Sequence, residues 1–144
     1  MADLSLTDLS QTLKWRVFTG PESITPGTSA GSGDTLVWSV TPGEWTTLGQ
    51  RPDDAVDLTH VRSMFRLTGG DAATVINRVC GLDLDDGMFP SGAAARTSLA
   101  GVATEIIRDD QAGMRSYLLL PSSSFRTYIL DVIRDAGAEF GLTV

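Results

Sequence analysis

The stretch Val61-Arg62-Ser63-Met64-Phe65-Arg66-Leu67-Thr68-Gly69-Gly70-Asp71-Ala72 decides the fold class, because it holds a strand, a turn and a helix start in succession. Val61, Ser63, Phe65 and Leu67 alternate with Arg62, Met64, Arg66 and Thr68. A period of two marks a strand, whose successive side chains point to opposite faces. Thr68-Gly69-Gly70-Asp71 then has the order of a capping-box start. Ala72, Val75, Ile76 and Val79 follow at i, i+3, i+4 and i+7, one face of a helix that should stop near Gly81.

Toward the C-terminus, Ala93 to Leu99 and Val102 to Arg108 flank Ala100-Gly101, the arrangement of a two-residue hairpin. Asp109 to Gly113 makes a further turn before the apolar run Ser116 to Leu120. Pro121 and three serines open the clearest helix, with the stripe Phe125, Tyr128, Ile129, Val132, Ile133 and Ala136 and Gly137 as its stop. Toward the N-terminus, Leu36, Trp38 and Val40 share one face of a strand, Pro42-Gly43 turns the chain, and Trp45 to Leu48 returns. Gly20, Gly27, Gly31 and Gly33, with Pro21 and Pro26, give residues 19–34 the composition of a flexible connection, and Leu13 to Phe18 before it reads as an edge strand. The expected organisation is an N-terminal edge strand and flexible Gly/Ser/Pro segment over 1–34, followed by a single domain over 35–144. Strands, helix, strands and helix make an α+β fold: a small antiparallel-rich sheet covered by two helices.

Composition removes much of the enzyme repertoire. At 144 residues the chain predicts one domain, large enough for a real core without staples. Its 11 basic and 18 acidic residues give a formal charge of −7, which argues against nucleic acid and anionic membranes as partners. One cysteine, Cys80, and one histidine, His60, are too few for most metal sites or for a disulfide framework. No run approaches the roughly 20 apolar residues of a membrane-spanning helix. Met1 to Asp8 is acidic and polar where a secretory signal carries basic charge, so the expected location is the reducing cytoplasm.

Each chemical motif has a bland competitor. The only lysine, Lys14, sits in Leu13-Lys14-Trp15, which excludes a phosphate-binding Gly-x-x-x-x-Gly-Lys loop. Asp83-Leu84-Asp85-Asp86-Gly87 is similar to the opening of a calcium loop, but the twelfth position is Ala94 where a bidentate Glu belongs. A solvated turn with Gly87 at positive φ is the better expectation. His60 with Asp57 nearby is expected to be a hydrogen-bonded structural histidine rather than a base, and Cys80, at the end of an apolar helix face, an inert buried thiol. Arg62, Arg66 and Arg96 are candidates to meet on one sheet face around an anion, against the commoner reading of paired surface arginines. For Glu105, Asp109 and Asp110, general acid–base work depends on burial.

A resemblance then adds to these readings. Val56-Asp57-Leu58-Thr59-His60 and Phe65-Arg66-Leu67-Thr68-Gly69-Gly70-Asp71-Ala72 resemble the aminomethyltransferase (glycine-cleavage T protein) superfamily. Within it, the sarcosine oxidase gamma-subunit family is more similar. Pro42-Gly43-Glu44-Trp45, Cys80-Gly81-Leu82-Asp83-Leu84, Phe89-Pro90-Ser91-Gly92, Ala95 to Val102, Leu118-Leu119-Leu120-Pro121 and Ala136 to Gly141 match its pattern in order and spacing, over about residues 36–142.

The resemblance implies the folate-binding-domain fold of the aminomethyltransferases and a non-catalytic accessory role. The complex implied is a heteromeric flavin-dependent sarcosine oxidase or demethylase linked to tetrahydrofolate one-carbon metabolism. FAD, FMN, NAD, tetrahydrofolate and zinc are then expected in the partner subunits, and the large alpha chain is the expected contact. No catalytic, cofactor-binding or metal-binding residue is expected here. Where the aminomethyltransferases carry an acid pair after the hairpin turn, this chain has Thr104 and Glu105. Exposed apolar residues, Trp38, Trp45 or Phe89 among them, are expected to form the docking patch, since interfaces favour aromatics. The competing readings are a stand-alone tetrahydrofolate-binding or tetrahydrofolate-dependent methyltransferase-like protein, with a pocket near Glu105, Arg66 and Arg96, and an unrelated small interaction domain.

Overall fold

A computed structural model describes residues 4–142, and among them ten strands form two five-stranded antiparallel sheets. The first runs in the order β1 (Ser5–Asp8), β7 (Phe65–Thr68), β10 (Ser116–Pro121), β9 (Val102–Arg108), β8 (Ala94–Leu99). The second runs β3 (Thr28–Ala30), β4 (Val37–Ser39), β5 (Trp45–Leu48), β2 (Lys14–Val17), β6 (Val56–Asp57). Helices α1 (Ala72–Asn77) and α2 (Arg126–Gly137) touch one another and cover the first sheet.

The first sheet is the middle layer, so its central strands bury both faces. In β10, Tyr117 and Leu119 join the core beneath the helices, while Leu118 and Leu120 join Leu36, Trp38 and Leu48 of the opposing sheet. That explains the continuous apolar run Ser116 to Leu120, because a strand covered on both faces has no polar side to alternate with. In β7, Phe65 and Leu67 face the helices, as the alternation requires.

The hairpin forms as the sequence predicts. Leu99 pairs with Val102, and the turn residues Ala100 and Gly101 have φ of 49° and 85°. Two positive φ values make a turn whose twist matches the flanking strands. A Cβ at Gly101 would meet nothing within 4 Å, so Gly101→Ala is expected to cost only its backbone strain. That strain is about 1 kcal/mol in chemical denaturation.

Both helices differ in detail from their sequence signals. Asp71 sits at the N-cap of α1 without a side-chain capping bond, and the helix ends at Asn77 rather than near Gly81. Burial of Ala72, Ala73, Val75 and Ile76 holds this short helix instead. It ends early because the Ala100 N–H donates to Val79 O and Cys80 enters a bridge with Leu99. In α2 the buried residues are Ile129, Ile133 and Gly137, with Leu130 and Ala136 packed beside the core, whereas Phe125 and Tyr128 are exposed. Phe125 precedes the helix in a 3-10 turn and so lies off the helical register. The Tyr128 hydroxyl reaches outward to donate to Ala100 O at 2.9 Å. The left-handed terminator is Gly141 (φ 73°) rather than Gly137, where a Cβ would lie 2.8 Å from Leu142.

The N-terminal third departs further from the sequence reading. Ser5–Asp8 pairs with β7 and buries its own Leu6, with Leu4 buried just before it. Lys14–Val17, expected at an edge, is bordered by β5 and β6. Thr28–Ala30 adds a strand within the segment read as a flexible connection. Strands from 1–34 thus lie in both sheets, and β1 and β3 escape the periodicity test because they have only four and three residues, largely polar.

Candidate functional site

The hairpin register decides where the candidate carboxylate points. Glu105 pairs with Arg96 of β8 and with Leu120 of β10, and it faces the second sheet. Its neighbour Thr104 faces the helices, fully buried, with its hydroxyl donating to Val102 O at 3.0 Å. The two residues standing where the acid pair is expected therefore point into different layers.

Glu105 is only 3% exposed. Its Oε1 accepts from Trp38 Nε1 at 2.9 Å. Its Oε2 accepts from Arg96 Nη2 at 3.1 Å and lies 3.9 Å from the Nη2 atoms of both Arg16 and Arg62. Arg62 enters from just before β7, where it bridges Ser122 and donates from Nη1 to Leu120 O. Burial lowers the pKa of Arg62; Glu105 opposes the shift, while Arg96 and Arg16 add to it. A carboxylate so enclosed is an internal counter-ion, with its lone pairs committed to charged and indole donors.

The other candidates separate from this cluster. Arg66 donates to Asp109 Oδ2 at 2.9 Å, Asp109 O at 3.0 Å and Ser116 Oγ at 2.8 Å. Asp109 also accepts from Ser32 Oγ and the Gly33 N–H, which fastens the 3-10 turn Gly33–Thr35 to the end of β9. Asp110 grips Arg108 through Nε at 3.0 Å and Nη2 at 3.1 Å. Arg108 donates in addition to Asp86 Oδ1 at 2.6 Å and Phe89 O at 3.0 Å. Asp110 raises the Arg108 pKa, with burial opposing and Asp86 assisting.

The turn lies at Asp85 to Phe89, where the Met88 and Phe89 N–H groups donate to Asp85 O; before it the Asp85 N–H donates to Asp83 Oδ1, and Asp86 is directed to Arg108 and Arg115. Gly87 does not take the positive φ expected of it. No group of three His, Cys, Asp or Glu residues is placed to hold a metal ion among the described residues. His60, expected as a hydrogen-bonded structural residue, is exposed, and Asp57 Oδ1 accepts the Thr59 N–H at 2.8 Å. That bond holds the Asp57 pKa below its ordinary value. Cys80 is buried in the helix-side core, where its Sγ accepts the Leu82 N–H.

The structure removes Trp38 and Phe89 from the expected aromatic docking patch and leaves Trp45 half-buried. Trp38 is wholly buried between the sheets, Phe89 stacks on Tyr117 at 6.5 Å, and Trp45 donates its indole N–H to Ile24 O. The larger exposed apolar residues include Phe18, Val56, Val61, Met88, Phe125 and Tyr128. A cleft of about 630 Å³ lies on the second sheet, between Val17, Phe18, Pro21, Val37 and Pro52. Arg66 lines a narrower cleft of about 190 Å³ with Leu9, Thr12 and Asp34, and Glu105 lines neither.

Sequence reasoning missed Arg16, the role of Trp38, and Lys14. Lys14 and Arg16 alternate with Trp15 and Val17, a period-two signal that places both cations on one face of β2. Lys14 is fully buried, and its ammonium donates to Ser10 O at 2.9 Å, Thr12 O at 2.9 Å and Thr59 O at 3.1 Å. Burial lowers its pKa against the pull of Asp57 and Asp8.

No family model matches the chain. Among curated proteins, 93 residues are 36% identical to the sarcosine oxidase gamma subunit of Corynebacterium sp. strain U-96, a span of 65% of this chain. The strain P-1 gamma subunit is 32% identical and that of Arthrobacter sp. 31% identical over the same length. The match spans 44% of the length of each of these relatives. Among solved structures, a chain of the heterotetrameric sarcosine oxidase from Corynebacterium sp. U-96 superposes with a TM-score of 0.81 and 24% identity, covering 98% of this chain and 87% of that one. The glycine cleavage system aminomethyltransferase T from Bartonella henselae superposes at 0.71 with 12% identity, over 99% of this chain and 47% of its own. The chain is a sequence relative of the sarcosine oxidase gamma subunits, and its α+β fold is that of a sarcosine oxidase chain and of aminomethyltransferase T.

Proposed function

We propose that the chain is a non-catalytic structural subunit of a heteromeric, flavin-dependent sarcosine oxidase-like N-methyl amine oxidase or demethylase linked to tetrahydrofolate metabolism. The state of Glu105 carries this reading. The one carboxylate at the position of the aminomethyltransferase acid pair is buried, bonded to Trp38 and Arg96, and faced by two more arginines. A general base must reach the proton that it takes, and this carboxylate is turned inward on partners of its own chain. Flavin, nicotinamide, folate and zinc then belong to the partner subunits, and the large alpha chain is the docking partner. Among the described residues no helix is long and apolar enough to cross a membrane, which is compatible with a cytoplasmic complex.

Co-expression with the alpha, beta and delta chains of the same organism tests the reading. The expected result is a stable complex containing this chain, while the chain purified alone carries no flavin. A monomer indifferent to those chains would overturn it. So would saturable heat on titrating the isolated chain with tetrahydrofolate, the result required by a stand-alone folate protein.

A further inference from the structure

Glu105 compensates only one of the three guanidinium charges that surround it. Arg16, Arg62 and Arg96 carry three positive charges against its single negative one, within a chain whose overall formal charge is −7. The excess is open on one side. The side chain of Glu105 is 4% exposed, whereas those of Arg16, Arg62 and Arg96 are 21%, 19% and 43% exposed. Each guanidinium offers five N–H donors in a planar fork. Arg62 donates one to Leu120 O and Arg96 donates one to Glu105, so the cluster retains capacity for a second acceptor on its outer side. Burial is what chiefly disfavours the charge on Arg62; Glu105 opposes this, and the neighbouring Arg96 and Arg16 add to it.

The surroundings fit a protein rather than a small molecule. Val56 lies opposite Arg16 in the β2–β6 pair, hence on the same face of that sheet, and is exposed. Val61, beside Arg62 in sequence, is exposed too. On the hairpin, Ser98 and Ala103 share the face of Arg96 and Glu105 one step toward the turn, and both are exposed. Arginine is enriched at interface hot spots, and these three lie in an open setting: neither of the two larger clefts encloses them, and Arg62 alone lines a smaller one of about 130 Å³ with Ser10 and His60.

We propose that Arg16, Arg62 and Arg96 form a docking site for an Asp or Glu side chain of the large partner subunit, with Glu105 holding the three guanidiniums in register. This rests on the subunit reading above and names its contact surface. A partner carboxylate completes the charge balance and can take the bidentate geometry that arginine favours.

The test is the affinity of the purified chain for the large subunit, measured by calorimetry at low and high salt. Arg16→Gln with Arg96→Gln leaves Arg62 to balance Glu105. It is expected to weaken the complex 10- to 100-fold and to flatten its salt dependence. Arg78→Gln, on α1's flank beneath Phe140, is expected to change neither. Arg96→Lys keeps the charge and the fold but not the fork, and should give an intermediate loss. If the wild-type complex forms and the double variant binds equally well, the docking site is wrong while the subunit reading stands. If the wild-type chain forms no complex, both are wrong. Saturable binding of succinate by the isolated chain would also overturn the proposal, by assigning the cluster to a free carboxylic acid.

Discussion

Glu105→Ala is expected to destabilise the chain by about 3 kcal/mol, a melting-temperature drop of roughly 10 °C. The substitution leaves the indole N–H of Trp38, a residue with no exposure, without its acceptor. It also removes the carboxylate on which three arginines converge. Removing one member of a buried ion cluster costs about 3–5 kcal/mol. The lower end applies because the guanidinium edges reach solvent and are hydrated as they splay apart. Glu105→Gln keeps an acceptor for Trp38 while deleting the charge, so its loss should be clearly smaller. Thermal unfolding of both variants separates the two contributions. A Glu105→Ala variant as stable as the parent would mean that the carboxylate is not a structural counter-ion, and would return it to consideration as a working acid or base.

Half of this cluster was legible in the sequence. Ala100-Gly101 fixes the hairpin register, and counting back from that turn puts Arg96 opposite Glu105 with no other information. Arg62 and Arg66 share strand parity, which made an arginine trio with Arg96 look natural. However, a strand rises about 3.3 Å per residue, so four residues separate the two by roughly 13 Å. Arg66 therefore reaches Asp109 instead, at the far end of β9. The third arginine, Arg16, and the indole of Trp38 arrive from the opposing sheet. No local pattern reports which residues meet across a sheet-on-sheet contact. The same limit hid the second sheet as a unit: its strands are two to four residues long, and β6 is wholly exposed. Pairing rather than periodicity makes such segments strands. The aromatic patch failed for a related reason. The alternation puts Trp38 on the correct face of its strand, but the first sheet covers that face.

Lys14→Met is expected to cost about 3 kcal/mol or more, although it replaces a charged residue by an apolar one of similar length in a fully buried position. Burial alone would favour methionine. The ammonium, though, spends all three of its protons on carbonyls, two from the loop at Ser10 and Thr12 and one from Thr59, 45 residues away. It thus ties the turn after β1 to the segment after β6, joining the edges of the two sheets. Methionine donates nothing, so three carbonyl groups lose their donor, and each left unsatisfied costs about 1–3 kcal/mol before water or relaxation repairs it. Lys14→Arg should not rescue the loss, because a planar fork cannot converge on three acceptors around a point, and its extra volume has no space. Denaturant unfolding of the two variants decides the matter. Equal stability of Lys14→Met and the parent would show that burial outweighs the carbonyl bonds, and a stable Lys14→Arg would show that charge, not the tetrahedral arrangement of donors, is what this position requires.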